Sequence, residues 1–136
     1  MKGYLLDTNL ISELLKKRPS AQVLTRLRAV RQEALFTSAI CVMELRYGAS
    51  RHPAGDQLWQ RINYEVLSRV QILPVGSEEA AKAGEVLAML ATRGEPIGVE
   101  DVLIGATALV HELAVVTRHI KHLSRIRGLR VESWWN

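Results

Sequence analysis

The chain has 136 residues, 48% apolar and 24% charged, and we expect one globular domain over residues 1–136 with a core of its own. Its single cysteine, Cys41, lies in an apolar run; this excludes a disulfide framework and a multi-cysteine zinc site, and Cys41 is interpreted as a core residue. The formal charge of +4 is weak evidence for a nucleic-acid partner. The sequence shows neither a signal peptide nor an apolar stretch of roughly 18 residues, so we expect a cytoplasmic location and no membrane partner.

Short apolar runs alternate with longer segments of helical period along the chain. The runs predicted as strands are GYLL at 3–6, ALFT at 34–37, VQILPV at 70–75, AVVT at 114–117 and LRVES at 129–133. The segments predicted as helices are 10–15, 20–30, 38–49, 57–70, 77–93 and 101–112, with one more helix before the last strand. Ser20 and Ser38 are suitable caps for two of these helices. This order predicts an α/β fold, a three-layer sandwich with a mostly parallel central sheet flanked by helices.

Three acidic residues stand in apolar surroundings near strand or helix ends. Asp7 directly follows the first strand, Glu44 lies within the CVMELRYG helix, and Asp101 begins a helix that is otherwise nearly all apolar. Each has an ordinary explanation: Asp7 as a helix N-cap, Glu44 as an exposed residue pairing with Arg46, and Asp101 as a complement to the helix dipole.

A common site explains the three acids together better than three separate roles do. Ligands of an open parallel sheet bind outside the carboxyl ends of the strands, and Asp7 lies at such an end. Converging carboxylates repel one another unless a cation lies among them. Mg²⁺ and Mn²⁺ prefer oxygen ligands, and such a site suits phosphoryl chemistry because the cation activates water and offsets developing charge.

Basic residues form two clusters. One comprises Lys16, Lys17 and Arg18; the other, which contains no acid, comprises Arg118, His119, Lys121, His122, Arg125, Arg127 and Arg130. Both interpretations stay open at this point: a solvated surface, or a rim that faces nucleic-acid phosphates.

Four stretches give the chain a family resemblance: LLDTNLISELLKK, TSAICVMELRYGA, PIGVEDVLIGATAL and VVTRHIKHLSRIRGLRVESW. In this order and spacing the chain resembles the PIN-domain family, and within it the VapC-type, FitB-like toxins of bacterial toxin–antitoxin pairs. The resemblance implies a Mg²⁺- or Mn²⁺-dependent endoribonuclease that cleaves RNA phosphodiester bonds. It also implies a homodimer and a VapB-type antitoxin that blocks the site.

The resemblance also implies roles for individual residues. Asp7, Glu44 and Asp101 match the family's acidic, metal-binding catalytic residues, Thr8 and Asn9 its first-strand motif, and Thr117 the hydroxyl residue after the fourth strand. His119 stands where the family most often has Asn or Asp, and His122 where a further Asp is common. Glu100 is the first candidate to supply a missing fourth acid. Arg118, Lys121 and Arg125 are expected to hold the RNA backbone.

Two other functions remain as alternatives. One is a degenerate PIN domain that binds RNA or a protein partner without cutting. The other is a phosphatase of the haloacid dehalogenase type, disfavoured because those enzymes need a second Asp where this chain has Asn9. For the homodimer, the apolar helices carrying Trp59 and Leu67, or their neighbours, are the expected contact surface.

Overall fold

The computed structural model describes residues 2–135, which form an α/β fold as predicted. The strands are β1 (Gly3–Leu6), β2 (Leu35–Ser38), β3 (Gln71–Leu73), β4 (Leu113–Val116) and β5 (Val131–Glu132). The helices are α1 (Thr8–Leu14), α2 (Ala21–Arg28), α3 (Ala39–Ser50), α4 (Gly55–Glu65), α5 (Ser77–Thr92), α6 (Val99–Val110) and α7 (Ile120–Leu123). Within these residues, no helix is both long and apolar enough to cross a membrane.

The five strands pair in parallel in the order β3-β2-β1-β4-β5. The chain builds outward from β1 to β3 on one side and then places β4 on the other side of β1. The strand order therefore reverses between β1 and β4, and at such a point the loops diverge and leave a crevice at the carboxyl ends.

Helices cover both faces of the sheet because the strands are apolar on both faces. Neighbouring residues of β1 point to opposite sides, so Leu5 packs in the core beneath α5 and α6, while Leu6 packs in the core formed with α1, α2 and α4. Val115 and Val116 of β4 divide between the two cores in the same way. The result is the predicted three-layer sandwich.

Two predicted caps are confirmed, since Ser20 Oγ accepts a hydrogen bond from the Val23 N–H and Ser38 Oγ accepts one from the Ile40 N–H. Several boundaries differ from the prediction by a few residues, and two of these differences have a clear physical reason. The third strand ends before Pro74, which has no N–H for the sheet. Helix α4 stops at Glu65 and a 3₁₀ turn (Leu67–Arg69) follows, because this bend buries Val66 and Leu67 in the same core.

Of the two residues named for the expected dimer surface, Leu67 does not reach the surface. Leu67 is only 6% exposed and belongs to the chain's own core. Trp59 is half-buried, with the Arg46 guanidinium over its ring at 5.1 Å from the centroid. The apolar side chains that do reach the surface include Met43, Tyr47 and Val99.

Candidate active site

Asp7 has both a capping and a site-forming position. It ends β1 and caps α1, with Oδ1 accepting a hydrogen bond of 2.8 Å from the Thr8 N–H. Its other oxygen, Oδ2, accepts hydrogen bonds from Thr117 Oγ1 at 2.8 Å and from Asn9 Nδ2 at 3.3 Å. Thr117 directly follows β4, so this triad bridges the two strands on either side of the point where the strand order reverses. The carboxylate is 7% exposed and is held from both ends.

Glu44 reaches the same place from α3. Its Oε1 accepts a hydrogen bond of 2.6 Å from Thr8 Oγ1 rather than pairing with Arg46. Helix α3 begins directly after β2, and Glu44 lies in its second turn, where the side chain returns toward the carboxyl ends of the strands. Thr8 therefore connects the first acid to the second: its backbone binds Asp7 and its hydroxyl binds Glu44.

Asp101 lies in the first turn of α6, a helix that packs on the opposite face of the sheet from α1. Its Oδ2 lies 3.8 Å from His122 Nδ1, and His122 follows β4 on α7. Its half-buried carboxylate thus enters the crevice beside the β4 loop.

All three acids line one cavity of about 800 Å³ at the strand carboxyl ends. The sequence predicted this convergence, and the structure places it between β1 and β4. The remaining residues that line the cavity are Thr8, Asn9, Ser12, Glu13, Lys16, Thr117, Arg118, His119, Lys121, His122 and Leu123. The three acids thus lie beside basic side chains in one cavity, an arrangement that suits the binding of a cation and a phosphate.

Burial and mutual repulsion explain the protonation behaviour of two of the acids. Burial raises the pKa of Glu44, and the negative charges of Asp7, Asp101 and Glu100 add to this, against the Thr8 hydrogen bond. Burial likewise raises the pKa of Asp101, with Asp7 adding to it and His122 opposing it. A divalent cation would relieve the same repulsion, so the donor set fits a hard cation.

Cys41 lies beside the acids but does not resemble a ligand for such a cation. Its Sγ is 3.8 Å from Asp7 Oδ1, and possible donor atoms of Asp7, Cys41 and Glu44 lie within 4.8 Å of one another. Burial and the nearby Asp7 raise the pKa of the Cys41 thiol to about 12, so it stays protonated and donates to the carboxylate. This agrees with its interpretation as a core residue.

Of the other predicted site residues, some join the hydrogen-bond network around Thr117 and others lie outside the cavity. Asn9 donates to Thr117 Oγ1 and accepts from the Arg118 N–H at 2.9 Å, and the His119 N–H donates to Thr117 Oγ1 at 3.2 Å. Glu100 lies outside the cavity, exposed on the surface beside Glu44. Arg125 also lies outside it, with its guanidinium donating to the Pro96 carbonyl at 3.2 Å.

Among the residues that line the cavity, Ser12, Glu13, Lys16 and Leu123 are not predicted as site residues. Lys16 stands out in the sequence only as part of a basic cluster, and Glu13 does not stand out. Glu13 is buried and accepts hydrogen bonds from Lys16 Nζ, the Ser20 N–H and Trp135 Nε1. Only the Lys16 contact has a local signal, the spacing of three residues at the end of α1. Trp135 is brought to Glu13 by tertiary folding alone.

Known proteins resemble this chain along most of its length. The family model described as "PIN domain" matches residues 4–129. The chain belongs to the PIN-domain family. This PIN domain is 32% identical over 134 residues to the tRNA(fMet)-specific endonuclease VapC of Shigella flexneri, covering 98% of this chain and 99% of that protein.

Solved toxin–antitoxin structures share this fold along nearly the whole chain. The FitAcB structure from Neisseria gonorrhoeae matches with a TM-score of 0.90 and 32% identity, covering 98% of this PIN domain and 99% of that chain. A toxin–antitoxin complex from Klebsiella pneumoniae matches with a TM-score of 0.74 and 25% identity, covering 98% and 99% of the two chains. The predicted family and fold are confirmed.

Proposed function

We propose that this protein is a divalent-metal-dependent endoribonuclease that acts as the toxin of a toxin–antitoxin pair. The observation that carries the proposal is the convergence of Asp7, Glu44 and Asp101 at the crevice between β1 and β4. The Shigella flexneri relative, named as a tRNA endonuclease, supports RNA as the substrate. We further propose that residues 1–136 form one PIN domain and that it acts in the cytoplasm.

Asp7, Glu44 and Asp101 would hold Mg²⁺ or Mn²⁺ through their carboxylate oxygens. When bound, such an ion lowers the pKa of coordinated water and offsets the charge that develops on a phosphate. The protein's own contribution is orientation: Thr8 links the first two acids, and Thr117 and Asn9 fix the remaining oxygen of Asp7. A carboxylate held by several donors cannot rotate away from its ligand.

Histidines at the cavity set the proposed metal preference. His119 and His122 line the cavity. The family resemblance implies Asn or Asp at the first of these positions and Asp at the second, and therefore fewer carboxylates here than in a four-acid relative. Imidazole nitrogen is a poor ligand for Mg²⁺ and a better one for Mn²⁺. We expect one firmly held metal and a stronger preference for Mn²⁺ than a four-acid relative has. Replacing His119 by Asp should strengthen Mg²⁺ binding, which calorimetry would measure; an unchanged affinity would place His119 outside the metal site.

Basic side chains at the cavity rim would bind the RNA backbone. Lys16, Arg118 and Lys121 line the cavity, whereas the Arg125 guanidinium is engaged at the Pro96 carbonyl. Phosphate contacts position a nucleic acid without reading its bases. Substrate choice would therefore come from the shape of single-stranded or loop RNA, which a site at a surface crevice admits more readily than a duplex.

A groove that joins the cavity is suited to the antitoxin. Its apolar walls come from α1, α3 and α4, and include Leu15, Leu45, Leu58 and Ile62; Thr8, Ser12, Lys16 and Glu44 line both the groove and the cavity. A VapB-type antitoxin helix lying there could offer a basic side chain to the acids. The toxin–antitoxin complex among the structural neighbours supports this partner.

A homodimer is the proposed assembly. Met43 and Tyr47 are exposed on one face of α3, with Val99 at the start of α6, and Met43 and Tyr47 form an apolar surface beside Glu44 and Glu100. A second copy of the chain covering this surface would border the cavity with its own residues. Sedimentation of the wild type and of Tyr47→Asp at micromolar concentration tests this: a dimer that becomes a monomer supports it, and a wild-type monomer contradicts it.

Cleavage of RNA by the purified protein tests the function. With Mg²⁺ or Mn²⁺ the wild type should cut single-stranded or loop RNA, and excess chelator should stop the reaction. The second candidate, a PIN domain that binds without cutting, is favoured by the histidines that replace expected acids. RNA binding without metal-dependent cleavage, and normal growth when the chain is expressed alone, would favour that candidate.

A further inference from the structure

The two tryptophans that follow β5 have different surroundings. Trp134 is 1% exposed and packs edge-on against Tyr4 at 5.3 Å between ring centroids, so it belongs to the core. Trp135 is only half-buried, and its Nε1 donates to Glu13 Oε1 at 3.3 Å. The Arg118 guanidinium lies over the Trp135 ring at 5.6 Å from the centroid. The second tryptophan therefore connects to the rim of the acidic cavity.

Arg118 is fixed at both its backbone and its side chain. Its N–H donates to Asn9 Oδ1 at 2.9 Å, and Asn9 Nδ2 donates in turn to Asp7 Oδ2. The backbone of Arg118 thus keeps a defined position relative to the first acid. Stacking uses the flat face of a guanidinium and leaves its in-plane N–H groups to bind a phosphate, with little further loss of side-chain freedom.

Lys16 lies on the same rim, but its charge is paired with a carboxylate of the chain. Its ammonium lies 3.0 Å from Glu13 Oε1, so a buried carboxylate offsets much of its charge. Trp135 shares that carboxylate through a neutral N–H, and its contact with Arg118 is made by an uncharged ring. Arg118 therefore keeps a full positive charge in a fixed place beside the acids.

We propose that Trp135, held by Glu13, is a positioning residue that orients Arg118 to bind the RNA phosphate next to the scissile bond. The inference rests on the proposed ribonuclease function. It assigns a role to Trp135, the second of the two tryptophans after β5, which contacts none of the three acids. A positioning role predicts that Trp135 acts on RNA only through Arg118.

A double-mutant cycle tests this prediction. Affinity for a single-stranded RNA oligonucleotide is measured with excess chelator, where no cleavage occurs, for the wild type, Trp135→Ala, Arg118→Ala and the double variant. Trp135→Ala should weaken binding about two- to fivefold, the range of an exposed cation–π contact. In the Arg118→Ala background the same change should have no further effect. With Mn²⁺, Trp135→Ala should raise KM by a similar factor and leave kcat within about twofold.

Two further variants separate positioning from stability. Trp135→Phe keeps an aromatic face and loses the N–H bond to Glu13, so its affinity should fall between those of the wild type and Trp135→Ala. Arg46→Ala removes another arginine stacked on a half-buried tryptophan, away from the cavity, and should leave RNA affinity unchanged. Thermal melting verifies that each variant is folded under the assay conditions.

The outcomes distinguish this inference from the proposed function. Equal losses from Trp135→Ala with and without Arg118 would overturn the inference, because Trp135 would then bind RNA itself or act through stability. An unchanged affinity in both Trp135 variants of a protein that cleaves RNA would overturn the inference alone. A wild type that binds RNA without cutting it, with the coupling intact, would overturn the ribonuclease proposal and leave the role of Trp135 standing. A wild type that neither binds nor cleaves RNA would overturn both.

Discussion

Two kinds of carboxylate line the same cavity, and they differ in how their charge is balanced. Glu13 is 5% exposed and accepts three hydrogen bonds, and the bond from Lys16, followed by that from the Ser20 N–H, lowers its pKa. Glu44 and Asp101 are more exposed, yet burial and neighbouring negative charges raise the pKa of each. The more deeply buried glutamate, Glu13, is thus more easily ionised than Glu44.

The difference indicates which acids are structural. Glu13 has its partners within the chain, and it ties α1 to the segment before α2 and to Trp135. Glu44 and Asp101 face other carboxylates, so ionisation of each is less favourable than that of a free carboxylate, and a cation bound among them would offset this cost. Balanced charge identifies an acid that stabilises the fold, whereas unbalanced charge at a crevice identifies an acid that binds a ligand.

The largest expected effect comes from removing the charge of Asp7. Asp7→Asn should lower metal-dependent RNA cleavage by more than about 100-fold, since loss of mere outer partners of a metal site costs 10–100-fold. Single-turnover cleavage with Mn²⁺ measures it. Glu79→Gln is the matched control: Glu79 is a buried carboxylate hydrogen-bonded to His111 away from the cavity, and its removal should leave cleavage within about twofold. Full activity in Asp7→Asn would exclude Asp7 as a ligand.

Metal binding should stabilise the fold through the unbalanced acids. At a free Mn²⁺ concentration 100 times its dissociation constant, the free energy of unfolding should rise by about 2.7 kcal/mol. Denaturant titration with and without the ion measures this increase. Glu13→Gln should show the same increase, whereas Asp7→Asn should show little. An equal response in all three proteins would assign the stabilisation to ions bound elsewhere.

Glu13→Gln should destabilise the protein itself. Loss of the charge-assisted bond to Lys16 should lower the free energy of unfolding by about 1.5–3 kcal/mol at neutral pH. The folded-state pKa of Glu13 is lowered, so its stabilisation is present above the unfolded value of 4.5 and is lost as pH falls through the folded pKa. Denaturant titrations of the wild type and Glu13→Gln should therefore converge in acid. A difference that persists unchanged at low pH would contradict the assignment to charge.

The smallest expected effect is a gain in stability when the charge of Asp101 is removed. The folded-state pKa of Asp101 is raised, so its ionised form costs stability above that pKa, and the cost disappears below the unfolded value of 3.8. Without metal, Asp101→Asn should melt at a higher temperature than the wild type at neutral pH, and the two curves should converge as the pH falls. A variant that is less stable at neutral pH would show that Asp101 is already balanced, as Glu13 is.

Part of the fold and the site could be predicted locally. Apolar runs and serine caps determine the order of strands and helices, because these patterns depend on residues a few positions apart. The acids Asp7, Glu44 and Asp101 could be selected for the same reason, since each stands out against its apolar neighbours. Even Asp7 as a helix cap was predictable, and the structure adds a second role to it without removing the first.

Tertiary structure alone decided how charge is balanced around these acids. Trp135 reaches Glu13, Thr8 reaches Glu44 and His122 approaches Asp101 only through tertiary folding, in which β1 pairs with β2 on one side and with β4 on the other. The sequence by itself determined which acids and bases the protein has and which elements carry them. Beyond the three acids, it could not determine which charges meet, because electrostatic interactions depend on distances between residues far apart in the chain. The burial of Leu67 and the contact of Arg125 with the Pro96 carbonyl have the same origin.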